Sequence, residues 1–269
     1  MDIVTIKPRL KLIDYLEKKL RSGSITFTKS DAIGFLGSSE LAFLRSAQRL
    51  QKKGILLKPV NGFYVIIEVE YRSAGGPQPI YFLAKMMKYL KLPYYVGLLS
   101  AAKYHGATHQ SVFETQVCTT KPLLPIKYGK HRIQFITNKF TERIPKQLLT
   151  TPHGDIQISS SEATLVDMIR YNKKSVGLSH VATVILEMRQ KINEKKIKLL
   201  TNIYHDVPLM QRVGYLLEVV SGKPANFLQQ WLRSQEVHVI KLEPRLKKSR
   251  NKNSRWSVDV NTIVKADSI

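Results

Sequence analysis

Apolar residues recur at helical spacing through Leu12, Ile13, Leu16 and Leu20, while Lys11, Lys18, Lys19 and Arg21 fall on the other faces. The pattern predicts a first helix that Gly23 can stop. Residues 24–28 suit a short strand, and Ser30 is placed to cap a short second helix through Ala32, Ile33, Phe35 and Leu36. Gly37 and Ser38 supply a tight turn before a longer helix over residues 39–53, with Gly54 suited to its C-terminal cap. Residues 55–58 and 63–67 then flank an Asn61-Gly62 pair, the signature of a hairpin turn. Three helices followed by a hairpin predict a winged helix-turn-helix over residues 1–70.

A polar stretch rich in Gly and Pro, residues 71–79, separates this unit from the rest and is read as a linker. Beyond it, residues 80–90 and 94–105 have a helical look, with Pro93 between them. Strands are expected at 114–119, 132–137, 155–159 and 237–242, helices through 161–233, and a final alternating segment at 256–260 returning a strand to the sheet. The mixture predicts an α+β domain over residues 80–269 with a small, mostly antiparallel sheet and several helices. Each part carries its own apolar pattern, so each is expected to form a core able to fold alone.

Composition narrows the partners. The 269 residues hold 43 Lys and Arg against 20 Asp and Glu, a formal charge of +23. Residues 1–79 contain 13 basic and 7 acidic side chains, and residues 80–269 contain 30 and 13, so both parts are cationic. Such an excess concentrates polyanions, and DNA, RNA or an anionic membrane surface are the usual ones. No apolar run approaches the roughly 20 residues of a membrane span, and the first residues lack the pattern of a signal peptide. Cys118 is the single cysteine, which excludes an internal disulfide and any multi-thiolate metal site. A cytoplasmic protein without membrane association is the resulting expectation.

The third predicted helix gives the charge a direction. At about 100° per residue, Leu41, Phe43, Leu44, Ala47 and Leu50 form an expected packing arc, with Ser38, Arg45, Ser46, Arg49, Lys52 and Lys53 opposite. Arginine can bond guanine O6 and N7 in a bidentate manner, and lysine at a helix end is a point charge for phosphate. Arg45 and Arg49 are therefore expected to read bases. Lys52, Lys53 and Lys58 of the wing are expected on phosphates of double-stranded DNA.

Candidate catalytic groups are sparse. His105 and His109 have the i, i+4 spacing of a zinc pair, but Gly106 stands where a zinc protease needs Glu. Glu162 follows Ser159 by three residues and is read as closing a capping box, and Asp167 with Arg170 as a helical ion pair. Gly222-Lys223 lacks a preceding phosphate-binding loop. No enzyme, metal site or cofactor is expected.

Residues 94–107 and 158–171, with the closing residues 256–261, resemble the AbiE-type antitoxins of bacterial type IV toxin-antitoxin systems. Together with the winged-helix start, the resemblance covers most of the chain. It implies a bifunctional protein: an amino-terminal winged helix that binds inverted repeats in its own promoter and represses the operon, and a carboxyl-terminal domain that counteracts a nucleotidyltransferase toxin, commonly without a stable complex. Polar residues near the resembling segments, Lys103, His105, Glu162, Asp167 and Arg170, are the candidates for that second activity. The run Arg245, Lys247, Lys248, Arg250 and Lys252 is expected to form a polyanion-facing loop between two strands, with a merely solvated loop as the bland reading. Other readings are a stand-alone winged-helix regulator without a toxin partner, an RNA-binding module centred on the larger part, and an enzyme whose site is assembled from scattered residues.

Overall fold

The computed structural model describes residues 10–107, 114–172 and 177–266. α1 (Leu12–Arg21) buries Leu12, Tyr15 and Leu16 and carries exposed Lys18 and Arg21 and half-buried Lys19 in its last turn, where they complement the negative end of the helix dipole. β1 (Thr26–Thr28) leads directly into α2 (Lys29–Leu36). The cap of α2 is Thr28 and not Ser30. Asp31, three residues after Thr28, closes a reciprocal box in which the Thr28 hydroxyl accepts from the Asp31 amide at 3.2 Å and the Asp31 carboxylate from the Thr28 amide at 3.2 Å. α3 (Glu40–Lys52) is capped by the Ser39 hydroxyl, and β2 (Leu56–Val60) and β3 (Phe63–Ile66) form the expected hairpin in a sheet ordered β1-β3-β2.

β3 has no exposed face. Tyr64 and Ile66 point into a core with Leu16, Phe27, Ala32, Phe43 and Ala47, while Phe63 and Val65, with Ile25, enter a second core. Strand side chains alternate between faces, so a strand that is apolar throughout requires cover on both sides. The second cover comes from beyond the expected linker: Phe82 and the buried side of α4 (Leu83–Tyr89), namely Leu83, Met86 and Met87.

Residues 71–79 are therefore a packed connection and not a loose linker. A short 3-10 helix, Val69–Ala74, ends at Gly75, which has φ +79° and lies so close to Gly129 that any Cβ would strike the Gly129 backbone. The Ala74 carbonyl accepts from Lys130 N at 3.0 Å, and the Pro77 carbonyl from the Tyr128 hydroxyl at 2.8 Å. Glycine at 75 and 129 serves backbone approach here, where composition suggested freedom.

The larger part centres on a six-stranded mixed sheet. Its strands are β4 (Tyr94–Val96), β5 (Glu114–Thr119), β6 (Ile126–Tyr128), β7 (His131–Thr137), β8 (Lys146–Thr151) and β9 (Gly154–Ser159), in the order β6-β7-β5-β4-β9-β8. β4 pairs parallel with β9, as β5 does with β7, and the other pairings are antiparallel. The expected helix over 94–105 is thus a strand followed by α5 (Leu98–Tyr104). A continuous apolar run does not distinguish a strand buried on both faces from a buried helix.

One face of this sheet, through Tyr94, Val96, Val117, Phe135 and Ile158, joins the core shared with β3 and α4. The other, through Tyr95, Cys118 and Ile136, packs on α5 and a helical layer: α6 (Ser161–Arg170), α7 (Leu178–Met188), α8 (Glu194–Tyr204), α9 (Val207–Ser221) and α10 (Asn226–Leu232). The closing segment does not return to this sheet. β12 (Val258–Asp259) instead pairs parallel with β10 (Ile240–Lys241) and antiparallel with β11 (Lys252–Asn253) in a small separate sheet, where the buried Trp256 also packs.

The shared middle core ties the stability of the first 70 residues to the rest. Phe63→Ala should cost about 3–5 kcal/mol, the usual range for deleting a buried aromatic ring. Both tryptophans, Trp231 and Trp256, lie in the larger part. Their fluorescence in a urea titration should shift to a lower midpoint in a single transition shared with the circular-dichroism signal. An unmoved tryptophan midpoint would show that the two parts unfold separately.

Candidate nucleic-acid interface and antitoxin core

α3 presents a stripe to solvent whose composition differs from the expected basic face. Phe43 and Ala47 are buried and Leu50 half-buried, but Leu41 and Leu44 are exposed. Leu41, Arg45, Gln48 and Lys52 are all exposed and follow i, i+4, i+7, i+11 spacing, which places them on one line along the helix. The wheel drawn from sequence put the two leucines inside because it treats every leucine as core. The core beneath α3 is already filled by Phe43, Ala47 and Tyr64, with Phe43 and Tyr64 edge to face at 5.4 Å.

The other expected contacts divide around this stripe. Arg49 is exposed at its flank, with Nη2 3.3 Å from the Ser46 hydroxyl, and Lys53 is exposed at the helix end. Both, with Arg45 and Ser46, line a cleft of about 650 Å³ whose opposite wall is Leu10 and Ile13 at the start of α1. The Ser38 hydroxyl is buried without a partner among the described residues, so it is not presented at the surface. Lys58 is exposed on β2.

The hairpin tip is braced from the larger part. The Tyr89 hydroxyl of α4 donates to the Asn61 carbonyl at 3.0 Å, and the Tyr89 and Phe63 rings lie 5.5 Å apart. Gly62 has φ +78°, and a Cβ there would meet the Tyr89 hydroxyl. The same carbonyl end of the turn is held by Lys29, whose amide donates to the Gly62 carbonyl at 2.8 Å while its ammonium pairs with Glu40 at 2.6 Å. The start of α2, the start of α3 and the hairpin tip are thereby fixed to one another and to α4. Composition gave no hint of Tyr89, because the contact spans 28 positions and depends on the packing of α4.

Of the candidates in the larger part, the structure brings some together in two buried clusters. Asp167 is fully buried and receives hydrogen bonds from Tyr204 at 2.5 Å and Tyr95 at 2.6 Å, while Asn138 Nδ2 donates to the Tyr95 hydroxyl at 2.9 Å and the Tyr204 hydroxyl at 3.2 Å. It is not the ion-pair partner of Arg170. Arg170 reaches across to Asp206, the N-cap of α9, at 3.1 Å, and its guanidinium lies over the Tyr204 ring at 4.7 Å. Burial pushes the Asp167 carboxyl up to about 6, against the hydrogen bonds from Tyr204 and Tyr95 and the Arg170 charge, which all favour ionisation.

Glu162 is only 1% exposed, and it closes no capping box on its own helix, whose N-cap is Ser160 bonded to Ala163 N. Glu162 Oε1 accepts instead from the Asn193 amide at 2.9 Å, at the N-terminus of α8, and Oε2 has no partner among the described residues. Beside it, His105 is held by the Ser159 carbonyl at Nε2, 2.8 Å, with Ser161 Oγ 3.4 Å from Nδ1. Lys191, absent from the sequence reading, donates to the His105 carbonyl at 2.6 Å. Burial lowers the His105 pKa, with Lys191 acting in the same sense and the Ser159 hydrogen bond and Glu162 opposing. His109 lies outside the described residues. Lys103 is exposed on α5. These groups hold the frame of α5, α6 and α8, and no group of three or more His, Cys, Asp or Glu placed to hold a metal occurs among the described residues.

The basic loop is ordered. Asp259 accepts from the Ser249 amide and hydroxyl, the latter at 2.6 Å, and Asn261 Nδ2 donates to the carbonyls of Glu243 and Lys247 at 2.9 and 3.0 Å. Arg245, Lys247, Lys248 and Arg250 are exposed on this pinned loop, and Lys252, expected on it as well, is exposed on β11. No helix among the described residues is long and apolar enough to cross a membrane.

Fold and site together define a basic α+β protein in which a helix-and-hairpin unit with a cationic outer helix is seated on a larger mixed-sheet domain. Within that larger part, residues 95–219 match the family of the AbiEi antitoxin C-terminal domain, which supports an AbiEi-type antitoxin role in a toxin-antitoxin system. The matched segment runs from β4 to α9. No curated protein sequence matches the chain. The crystal structure of the RV2827C protein from Mycobacterium tuberculosis is similar over 91% of this chain and 89% of that one, with a TM-score of 0.66 and 16% identity, which extends the shared fold beyond the matched segment. The solution structure of the antibiotic-resistance factor ANT(2'')-Ia matches over 46% of this chain and 88% of that one, with 12% identity and a TM-score of only 0.30.

The Asp167 cluster makes stability depend on pH in a stated sense. A carboxyl whose folded pKa stands above its ordinary 3.8 stabilises the fold below that value and loses the contribution as pH rises through about 6. Wild-type stability should therefore fall across this window by about 2–3 kcal/mol relative to Asp167→Asn, which cannot ionise. Urea unfolding of both proteins across the window measures the difference, and a flat difference would place the titration elsewhere.

Proposed function

We propose that the chain is the antitoxin of a type IV system and its own transcriptional repressor: residues 1–70 form a winged helix-turn-helix that binds inverted repeats of double-stranded DNA in the promoter, and residues 80–269 counteract a nucleotidyltransferase toxin. The observation that carries the DNA reading is the outward line of α3, with Arg45 and Lys52 beside a hairpin wing fixed by Tyr89. A rigid helix with a free cationic line and a wing at a set angle is the geometry that enters a major groove while the hairpin meets the adjacent backbone. The pinned basic loop supplies a second polyanion-facing surface. The antitoxin family match supports the second activity. Because Asp167, Glu162 and His105 are buried, they act by maintaining the domain, and Lys103 and Arg170 are the candidates to meet a partner. The protein works by binding and not by catalysis.

The shared core makes point variants of the full chain the appropriate test. In gel shifts on the DNA upstream of its own reading frame, Arg45→Ala should cost about 1–3 kcal/mol and relax sequence preference, and Lys52→Ala should lower the salt slope by about one. Tyr89→Phe, which removes one brace from the wing, should weaken binding about two- to tenfold, the worth of one hydrogen bond. All three variants should still rescue growth when co-expressed with the neighbouring nucleotidyltransferase. Undiminished DNA binding by Arg45→Ala and Lys52→Ala would overturn the groove assignment, and joint loss of rescue would overturn the division of labour.

A further inference from the structure

The outward line of α3 is not purely cationic. Leu41 is 59% exposed and Leu44 37%, and both stand on the same arc as Arg45, Gln48 and Lys52. These five positions span about 100° of the helix. A single exposed leucine needs no explanation. Two within one turn, on the face that carries the cations and in the N-terminal half of the helix, describe a surface with a particular complement.

Charge decides which complement. An apolar groove on a protein would be a poor match for Arg45 and Lys52, which would lose hydration without gaining partners. A polyanion that also offers apolar spots suits the whole line, and the DNA major groove is one. There each thymine presents a 5-methyl group beside its O4 acceptor, and each adenine presents N7 and the N6 amine, which a glutamine amide can bond in a bidentate manner. Residues in the first turns of a recognition helix are those that reach base edges.

We propose that Leu41 and Leu44 contact thymine methyl groups and Gln48 an adenine edge, so that α3 selects A·T pairs next to the guanine read by Arg45. The proposal rests on the DNA-binding reading above and adds its sequence class. It also accounts for Leu41 being left largely, and Leu44 partly, in water on the outward face.

The test uses the full chain and a pool of random-sequence duplexes. Selected duplexes should share A·T pairs beside a G·C pair within each half-site. The best duplex is then remade with deoxyuridine for thymine, which deletes only the 5-methyl groups. Wild type should bind the uracil duplex about fourfold more weakly per contacted methyl, the worth of one buried apolar carbon. Leu41→Ala and Leu44→Ala should bind the thymine duplex more weakly and lose their sensitivity to the exchange, and Gln48→Ala should relax selection at adenine. The uracil exchange needs no protein variant, so it stands even where a substitution perturbs folding. Equal wild-type affinity for thymine and uracil duplexes, or enrichment of sites without A·T pairs, overturns this proposal alone. No enrichment of any sequence overturns the DNA reading and this proposal with it, and points to an apolar protein partner for the two leucines.

Discussion

Burial of β3 on both faces constrains the rest of the architecture. Tyr64 and Ile66 complete the small core under α1, α2 and α3, and Phe63 and Val65 complete the core built on α4 and one face of the six-stranded sheet. Each fully buried side chain of this size is worth about 1.5–3 kcal/mol. A hinge between the helical unit and the larger part would have to expose Phe63, Val65, Leu83, Met86 and Met87 together, which the packing opposes. The outer helix and the hairpin therefore hold a fixed attitude to the larger part, and Tyr89 gains its influence on the hairpin from that rigidity.

On its opposite face the six-stranded sheet is organised by polar groups as well as by packing. A carboxylate out of water is costly, and Asp167 is tolerated because both its oxygens receive hydroxyl hydrogen bonds and Asn138 organises the donors. Removing one tyrosine hydroxyl would leave an unpaired buried oxygen, a larger penalty than the bond itself is worth. The arrangement joins β4, α6 and α8 at one point, and the Glu162 bond to the start of α8 repeats the device at the other end of α6.

Local pattern was sufficient wherever one face of an element meets water. The extents of α3, β5 and β7 were legible in the periodicity of the sequence, and that of β3, buried on both faces, from the Asn61-Gly62 turn before it. Legibility failed where an element is covered on all sides: Tyr94 to Val96 reads as the start of a helix because nothing polar interrupts it. It failed again where partners are distant. Asp167 and Arg170 are adjacent on a helical wheel, yet Tyr95, Tyr204 and Asp206 outbid the local pairing, and Glu162 finds an amide 31 positions away. Gly75 and Gly76 read as a loose connection because glycine serves flexibility and close approach equally well, and only the neighbouring backbone of Gly129 decides between them. At the candidate interface the charge was legible, whereas the two outward leucines and Gln48 were not, since sequence alone treats leucine as interior.

Several acids of the larger part are committed to specific partners and do not pair with the exposed cations of α3 and the basic loop. In the larger part, Asp167 is spent on tyrosines, Glu162 on a helix start, Asp206 on capping α9 and holding Arg170, Glu218 on Trp256 Nε1 and Arg255, and Asp259 on the loop that carries the basic run. Carboxylates directed inward or toward backbone amides contribute little negative potential to the outer surface. The exposed lysines and arginines of α3, the wing and the basic loop have few such counter-charges beside them. A field of one sign extends over roughly 8 Å at physiological ionic strength, and under the proposed DNA reading it gathers the polyanion before any short-range contact forms. Attraction of that range selects nothing, so discrimination falls to short-range contacts on a rigid support, and the outward line of α3 is where the packing of β3 and the brace from Tyr89 provide one.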